Sequence, residues 1–227
     1  MTVEQLQKIH LIDVTTPDQW EAICWRVCYM FNMHYEEVNK MNRWRYLWLL
    51  RKVEKALHRK PTKWFSADIE TDATKITLGQ YIDCQHWLRD KTPAIEVCDM
   101  LAATLLRKRA KHNIDVEKVR KMRHERVVPK VMQFVESFNA LVLRYAGLFD
   151  IELDEDGNVV EGEKVEVAPF LKRYGWIFSA TQIAQLKGIT LDKAFEVNVV
   201  EAFNYLGYLK AKQKYDEDQA KKASNGK

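Results

Sequence analysis

Val131-Met132-Gln133-Phe134-Val135-Glu136-Ser137-Phe138-Asn139-Ala140-Leu141-Val142-Leu143-Arg144-Tyr145 repeats its large apolar residues at 131, 134, 135, 138, 141, 142 and 145. Steps of three and four residues are the signature of one apolar face on an α-helix. This is the strongest helical pattern in the chain, and Gly147 is placed to end it. Upstream, residues 115–127 can form a short basic helix. Thr92-Pro93 pairs a capping residue with a first-turn proline ahead of Ile95, Cys98, Leu101, Ala102, Leu105 and Leu106. Thr77 with Gln80 three residues on is a capping-box signature that opens a helix running to about Asp90.

Nearer the start, Thr16, Pro17 and Gln19 signal a helix with Trp20, Ile23, Cys24, Val27, Cys28 and Phe31 on one side, ending near Asn32. A second helix is expected from Tyr35 to Arg59, turning Val38, Met41, Trp48 and Val53 toward a core, with Pro61 as its stop. Residues 62–75 have no helical period and read as a loop. Downstream of Gly147 the period changes to two. Phe149 to Leu153 and Val159 to Val167 alternate around Asp156-Gly157-Asn158, which predicts an acidic β-hairpin over 149–167. Helix returns from Phe170 to about Leu186, breaks at Gly188, is capped again at Thr190 and continues from Leu191 through Phe195, Val199, Phe203, Leu206 and Leu209.

The expected fold is therefore mainly α, with about seven helices and one inserted hairpin. The expected division is a helical body over 1–147, the insertion over 148–168, a C-terminal helical pair over 169–215 and a frayed tail over 216–227. Composition agrees. Of 227 residues, 47% are hydrophobic and 30% charged, enough for a sizeable core, while eight glycines and five prolines are few for a turn-rich all-β fold. No apolar run approaches the ~20 residues of a membrane helix, and Met1 to His10 carries no apolar signal core. The expectation is a soluble intracellular protein.

The net charge of +4 hides segregation. Between Arg43 and Lys63 eight basic residues face the single Glu54, a balance of +7. Between Arg107 and Lys130 ten face three acids, again +7, whereas Asp150 to Glu166 holds eight acids against Lys164, or −7. The candidate basic surface is Arg43, Arg45, Arg51, Lys52 and Lys55 with Arg107, Lys108, Arg109, Arg120, Lys121 and Arg123. The candidate acidic surface is Asp154, Glu155, Asp156, Glu161 and Glu163. Such blocks suit head-to-tail contacts between copies or nucleic acid on the basic helices 43–63 and 107–130. Trp44 and Trp48, four apart among arginines, suit stacking on bases; packing in a core with arginine stems over the rings is the commoner use of such a stripe.

Reactive chemistry is sparse. Cys24 and Cys28 share a helix face but have no second pair to complete a tetrahedral metal site, so they read as small core residues and no metal or cofactor is expected. Asp154, Asp156 and Asn158 open like a calcium loop, yet Val159 and Val165 stand where the glycine and the bidentate glutamate belong. Asp68-Ile69-Glu70-Thr71 resembles the first carboxylate motif of proofreading exonucleases, but no later aspartates or αβ pattern accompany it. A metal-dependent nuclease is the remote alternative.

Two blocks carry a family resemblance. Ile76-Thr77-Leu78-Gly79-Gln80-Tyr81-Ile82-Asp83, followed by Val97-Cys98-Asp99-Met100-Leu101-Ala102-Ala103-Thr104-Leu105-Leu106-Arg107-Lys108, is similar to a pattern in small morphogenesis proteins of tailed bacteriophages. Phe170-Leu171-Lys172-Arg173-Tyr174-Gly175-Trp176, then Gln182-Ile183-Ala184, then Val199 to Lys210, resembles the ending of tail assembly chaperone-like and connector-like proteins. The blocks cover a little under half of the chain. Lys187-Gly188-Ile189 departs from the Gly-Asp turn of that pattern, and residues 1–70 have no counterpart in it. The resemblance implies a non-enzymatic virion or assembly protein, such as a connector ring subunit or a tail chaperone of a podovirus-like phage of Bacteroidetes. It would act as a homo-oligomer or with other tail and connector proteins, in the virion or in the host cytoplasm. Tyr174, Trp176, Phe203, Tyr205 and Tyr208 are the candidate partner surface.

Overall fold

The computed structural model describes residues 1–15, 18–57, 68–89, 92–106, 115–149, 151 and 169–225. Among them are eleven α-helices and no strand, so the mainly α expectation holds. The acidic hairpin is not supported. Phe149, where it was to begin, instead caps a 3-10 turn over Ala146–Leu148 by donating its N–H to Ala146 O, and Ile151 donates to the same carbonyl. Residues 150 and 152–168 lie outside the described residues. Two compact units emerge, Met1–Thr71 with Cys84–Val135, and Asp72–Asp83 with Glu136–Lys227.

The first unit opens with a helix that periodicity did not reveal, α1 (Val3–Thr15). Thr2 and Gln5 cap it reciprocally: the Gln5 N–H donates to Thr2 Oγ1 at 3.2 Å and the Thr2 N–H to Gln5 Oε1 at 2.9 Å. Its start is pinned by Val3 N–H to Met122 O and by His124 N–H to Met1 O. Next, α2 (Gln19–Phe31) is capped by Asp18, which accepts the Trp20 N–H at 2.8 Å; Thr16 and Pro17 lie outside the described residues. Its end falls at Asn32 as expected, in the left-handed conformation at φ 52°.

The single helix expected over 35–59 is two. A short α3 (Tyr35–Asn39) closes at Lys40, and Asn42 restarts the chain by accepting the Trp44 N–H, giving α4 (Arg43–Leu57). This break re-phases the helix. Tyr46, Leu49 and Val53 of α4 pack with Cys24, Val27, Cys28 and Val38 in a closed core, and Trp48, expected inside, faces water.

Two further helices complete this unit, α6 (Cys98–Leu105) and α7 (Val116–Arg120). Turns occupy 94–97, so the Thr92-Pro93 signal leads into α6 only after one irregular turn. Asp115 caps α7 by accepting the Lys118 N–H. Between these in sequence stands α5 (Leu78–Trp87), and after them α8 (His124–Arg144), each with residues in both units. α8 starts before Pro129 and carries it internally.

In the second unit α9 (Pro169–Lys187) ends at Gly188, whose φ of 62° is left-handed, and Thr190 caps α10 (Leu191–Phe195). The chain breaks again before α11 (Val199–Asn225) because the Asn198 side chain caps it, accepting the Val200 N–H at 2.9 Å while donating to Thr74 O at 2.7 Å. The core here is aromatic. Tyr81 stacks on Phe138 at 5.0 Å and meets Phe203 edge-on at 4.8 Å, with Phe149 and Trp176 completing the ring of contacts. From Lys210 to Ala223 every residue of α11 is exposed; the helix nonetheless continues through the stretch expected to fray, braced by pairs such as Lys212 with Asp216.

Candidate interaction surfaces

The basic residues expected as one surface divide into two groups. On α4, Arg43, Arg45, Arg51, Lys52 and Lys55 are all exposed. Glu54 on the same helix is committed to Arg26, 3.8 Å away. Trp44 and Trp48 are 78% and 55% exposed, so neither serves as the core packing that such a stripe usually supplies. Lys52 Nζ stands 3.5 Å from the Trp48 ring centroid, a cation–π contact that holds the indole.

The second block behaves differently. Arg120 Nε donates to Asp99 Oδ2 at 2.8 Å and its Nη1 to Glu117, while Asp99 is buried and also accepts from Gln7 Nε2 at 2.9 Å. The Asp99 and Glu117 hydrogen bonds raise the Arg120 pKa further above its ordinary value. Arg123 pairs with the buried Glu125 at 3.2 Å. These arginines neutralise carboxylates inside their own unit. Lys121 is exposed, whereas Arg107, Lys108 and Arg109 lie outside the described residues, as do Asp154, Glu155, Asp156, Glu161 and Glu163.

The aromatic candidates also divide. Phe203 is fully buried, Trp176 meets Tyr81 edge-on at 5.6 Å, and Tyr205 is half-buried beneath Lys187. Tyr174 and Tyr208 remain 40% and 57% exposed. Tyr174 shares its exposure with Ile177 and Phe178 on α9, three and four residues on, and these two escaped sequence reading because their helix has apolar residues all round. Which side faced a core was not legible.

Within the motif over 76–83, each residue from Ile76 to Tyr81 has a structural role. Thr77 and Gln80 form the expected capping box, Gln80 N–H to Thr77 Oγ1 at 3.2 Å and Thr77 N–H to Gln80 Oε1 at 3.1 Å. Leu78 N–H donates to Val197 O and Val199 N–H to Ile76 O, a two-bond clasp between α5 and the start of α11. A Cβ on Gly79 would lie 3.3 Å from Phe195 O, so glycine permits this close approach. Tyr81 then enters the aromatic core.

Asp68 and Glu70 sit on irregular backbone with the buried Ile69 between them; Asp68 is exposed and Glu70 accepts the N–H of adjacent Thr71. No group of three or more His, Cys, Asp or Glu suited to a metal occurs among the described residues. Cys24, Cys28, Cys84 and Cys98 are buried, the core role expected of the first two. Desolvation raises the pKa of Cys24 and Cys28 and pushes Cys98 up to about 12. No described helix is long and apolar enough to cross a membrane. Compared with protein-family models, with curated proteins and with solved structures, the chain matches none.

Proposed function

We propose that the chain is a non-enzymatic assembly protein of the kind its resemblance implies. It is a subunit of a phage head-to-tail connector or tail, or a chaperone that prepares the tail, acting in the virion or in the host cytoplasm. The observation that supports this reading is the outward strip of α9, where Tyr174, Ile177 and Phe178 stand exposed at i, i+3 and i+4. Large apolar side chains grouped in water mark a contact surface, since covering them gains about 25 cal/mol per Å². The segregated charge of the sequence supports the reading as well, since blocks of +7 and −7 in one chain suit charge matching between copies.

Native mass spectrometry of the purified chain and negative-stain microscopy of virions test this. The expected result is a defined oligomer of the chain, or its capture by a tail-tube protein. Replacing Ile177 and Phe178 by serine is expected to reduce assembly without lowering the melting temperature. Parallel loss of fold and assembly would assign the strip to intramolecular packing. A strict monomer that is absent from particles and contacts no tail protein overturns the proposal.

A further inference from the structure

Around α4, at about 100° per residue, the side chains of Arg51, Trp44, Lys55, Trp48, Lys52 and Arg45 follow one another within about 120°. Past the half-buried Ala56, the next positions around are the buried Leu49, Val53 and Tyr46. The outer arc thus alternates indole and cation with no acid in it. Arg43, Arg45, Arg51 and Lys55 carry no ion pair among the described residues, unlike Arg120 and Arg123. Trp44 leaves 78% of its surface in water. Folding gains little from it, because the apolar free energy of an indole is realised only on burial.

Three partner chemistries suit a basic face, and the aromatic residues choose among them. A membrane-surface helix gathers Trp, Phe and Leu on one face and its cations on the other; here the leucines of α4 turn inward or sit half-buried, and the exposed Trp44 and Trp48 stand interleaved with Arg51, Lys55 and Lys52 in a single arc, with no separate apolar face to enter lipid. An acidic peptide would satisfy the cations but offers no flat rings to two exposed indoles. Single-stranded nucleic acid supplies both phosphates and accessible base faces. A duplex hides those faces in its stack. Four residues separate the two tryptophans, about 6 Å along the helix axis, so each indole can take a separate base of one strand.

The geometry points to the outer face of α4 as a binding site for single-stranded nucleic acid, with Trp44 and Trp48 stacking on bases and Arg45, Arg51, Lys52 and Lys55 on the phosphates. This does not rest on the assembly reading. The face belongs to the first unit, the α9 strip to the second, and a chain that never oligomerises would still bind.

The test is a fluorescence titration of the full chain with a labelled oligothymidylate over a range of salt concentrations. Binding is expected to weaken with salt at a log–log slope of about −3, as four phosphate contacts to a single strand require. Trp44→Ala and Trp48→Ala are each expected to lower affinity about tenfold, with Trp44→Phe retaining most of it. Because both residues are exposed, the alanine variants should keep the wild-type circular dichroism and melting temperature. Absence of binding overturns the proposal. So does binding that both alanine variants leave intact, or a duplex that binds as tightly as the single strand. Preference for polyglutamate, or for phosphatidylserine vesicles, lost in the same variants, would reassign the face to an acidic protein or a membrane.

Discussion

Tyr81 is completely buried at the centre of the second unit's aromatic core, and its hydroxyl has no hydrogen-bond partner among the described residues. Burial raises its pKa, since an ionised phenolate would have nothing to stabilise it there. A buried hydroxyl without a partner costs about 1–3 kcal/mol. Tyr81→Phe removes the cost and keeps the stack on Phe138 and the edges on Phe203 and Trp176. The variant is expected to be about 1 kcal/mol more stable, read as a higher urea midpoint with an unchanged slope. A lower midpoint would mean that the hydroxyl is satisfied. Asp99 shows the opposite arrangement, a buried carboxylate fully engaged with Arg120, Gln7 and the Met100 N–H. Identity alone forecasts neither case. Tyr81 and Asp99 both lie in runs that read as helix, and only their neighbours in space decide which polar group is answered.

At the scale of elements, caps were the most legible feature. The Thr77–Gln80 box, the Asn32 ending, the Gly188 break and the Thr190 cap lie where the sequence placed them. Each is a local device, complete within a few residues, so no tertiary knowledge is needed to read it. Thr77→Ala removes the acceptor for the Gln80 N–H and is expected to cost about 1 kcal/mol, measured by chemical denaturation; a cost near zero would show that the Val197 and Val199 clasp alone positions α5. Breaks that depend on distant partners were missed. Asn198 starts α11 while bonded to Thr74, far away in sequence. The interruption at 40–42, by contrast, is local: Asn42 accepts the Trp44 N–H, and asparagine is a poor helix former and a good cap, so Asn39 and Asn42 are a break signal that the expected single helix passes over, with Trp48 turned inward as the result. α1 carries the same local device, Thr2 and Gln5 forming a capping box like that of Thr77 and Gln80, with Pro17 just past its end, but its apolar residues Val3, Leu6, Ile9, Leu11 and Ile12 do not keep a clean three-and-four spacing.

At the scale of the whole molecule the buried thiols of Cys24, Cys28 and Cys98 link stability to alkaline pH. Cys98 has its pKa raised from 9.0 to about 12 by desolvation, with Asp99 adding to the effect. The fold therefore holds the proton more tightly than the unfolded chain. Stability from this group is fully present below pH 9 and declines as pH rises from there toward 12. Melting temperatures compared at pH 8 and pH 10 are expected to fall less for Cys98→Ala than for the natural chain; equal falls would place the pH dependence elsewhere. By itself, the sequence determined the mainly α class, the helix ends marked by local caps at Asn32, Thr77, Gly188 and Thr190, and the concentration of basic charge between 43 and 63, because propensity, caps and composition act over a few residues. Only the tertiary structure decided which charges are available, taking Arg120 and Arg123 into ion pairs while leaving α4 uncommitted. It also sent Phe203 and Trp176 into contact with Tyr81 and left Trp44, Trp48 and Tyr208 in water. The physical reason is that exposure belongs to the space between elements, and a helix with apolar or aromatic residues on more than one side does not say which side its neighbours will cover.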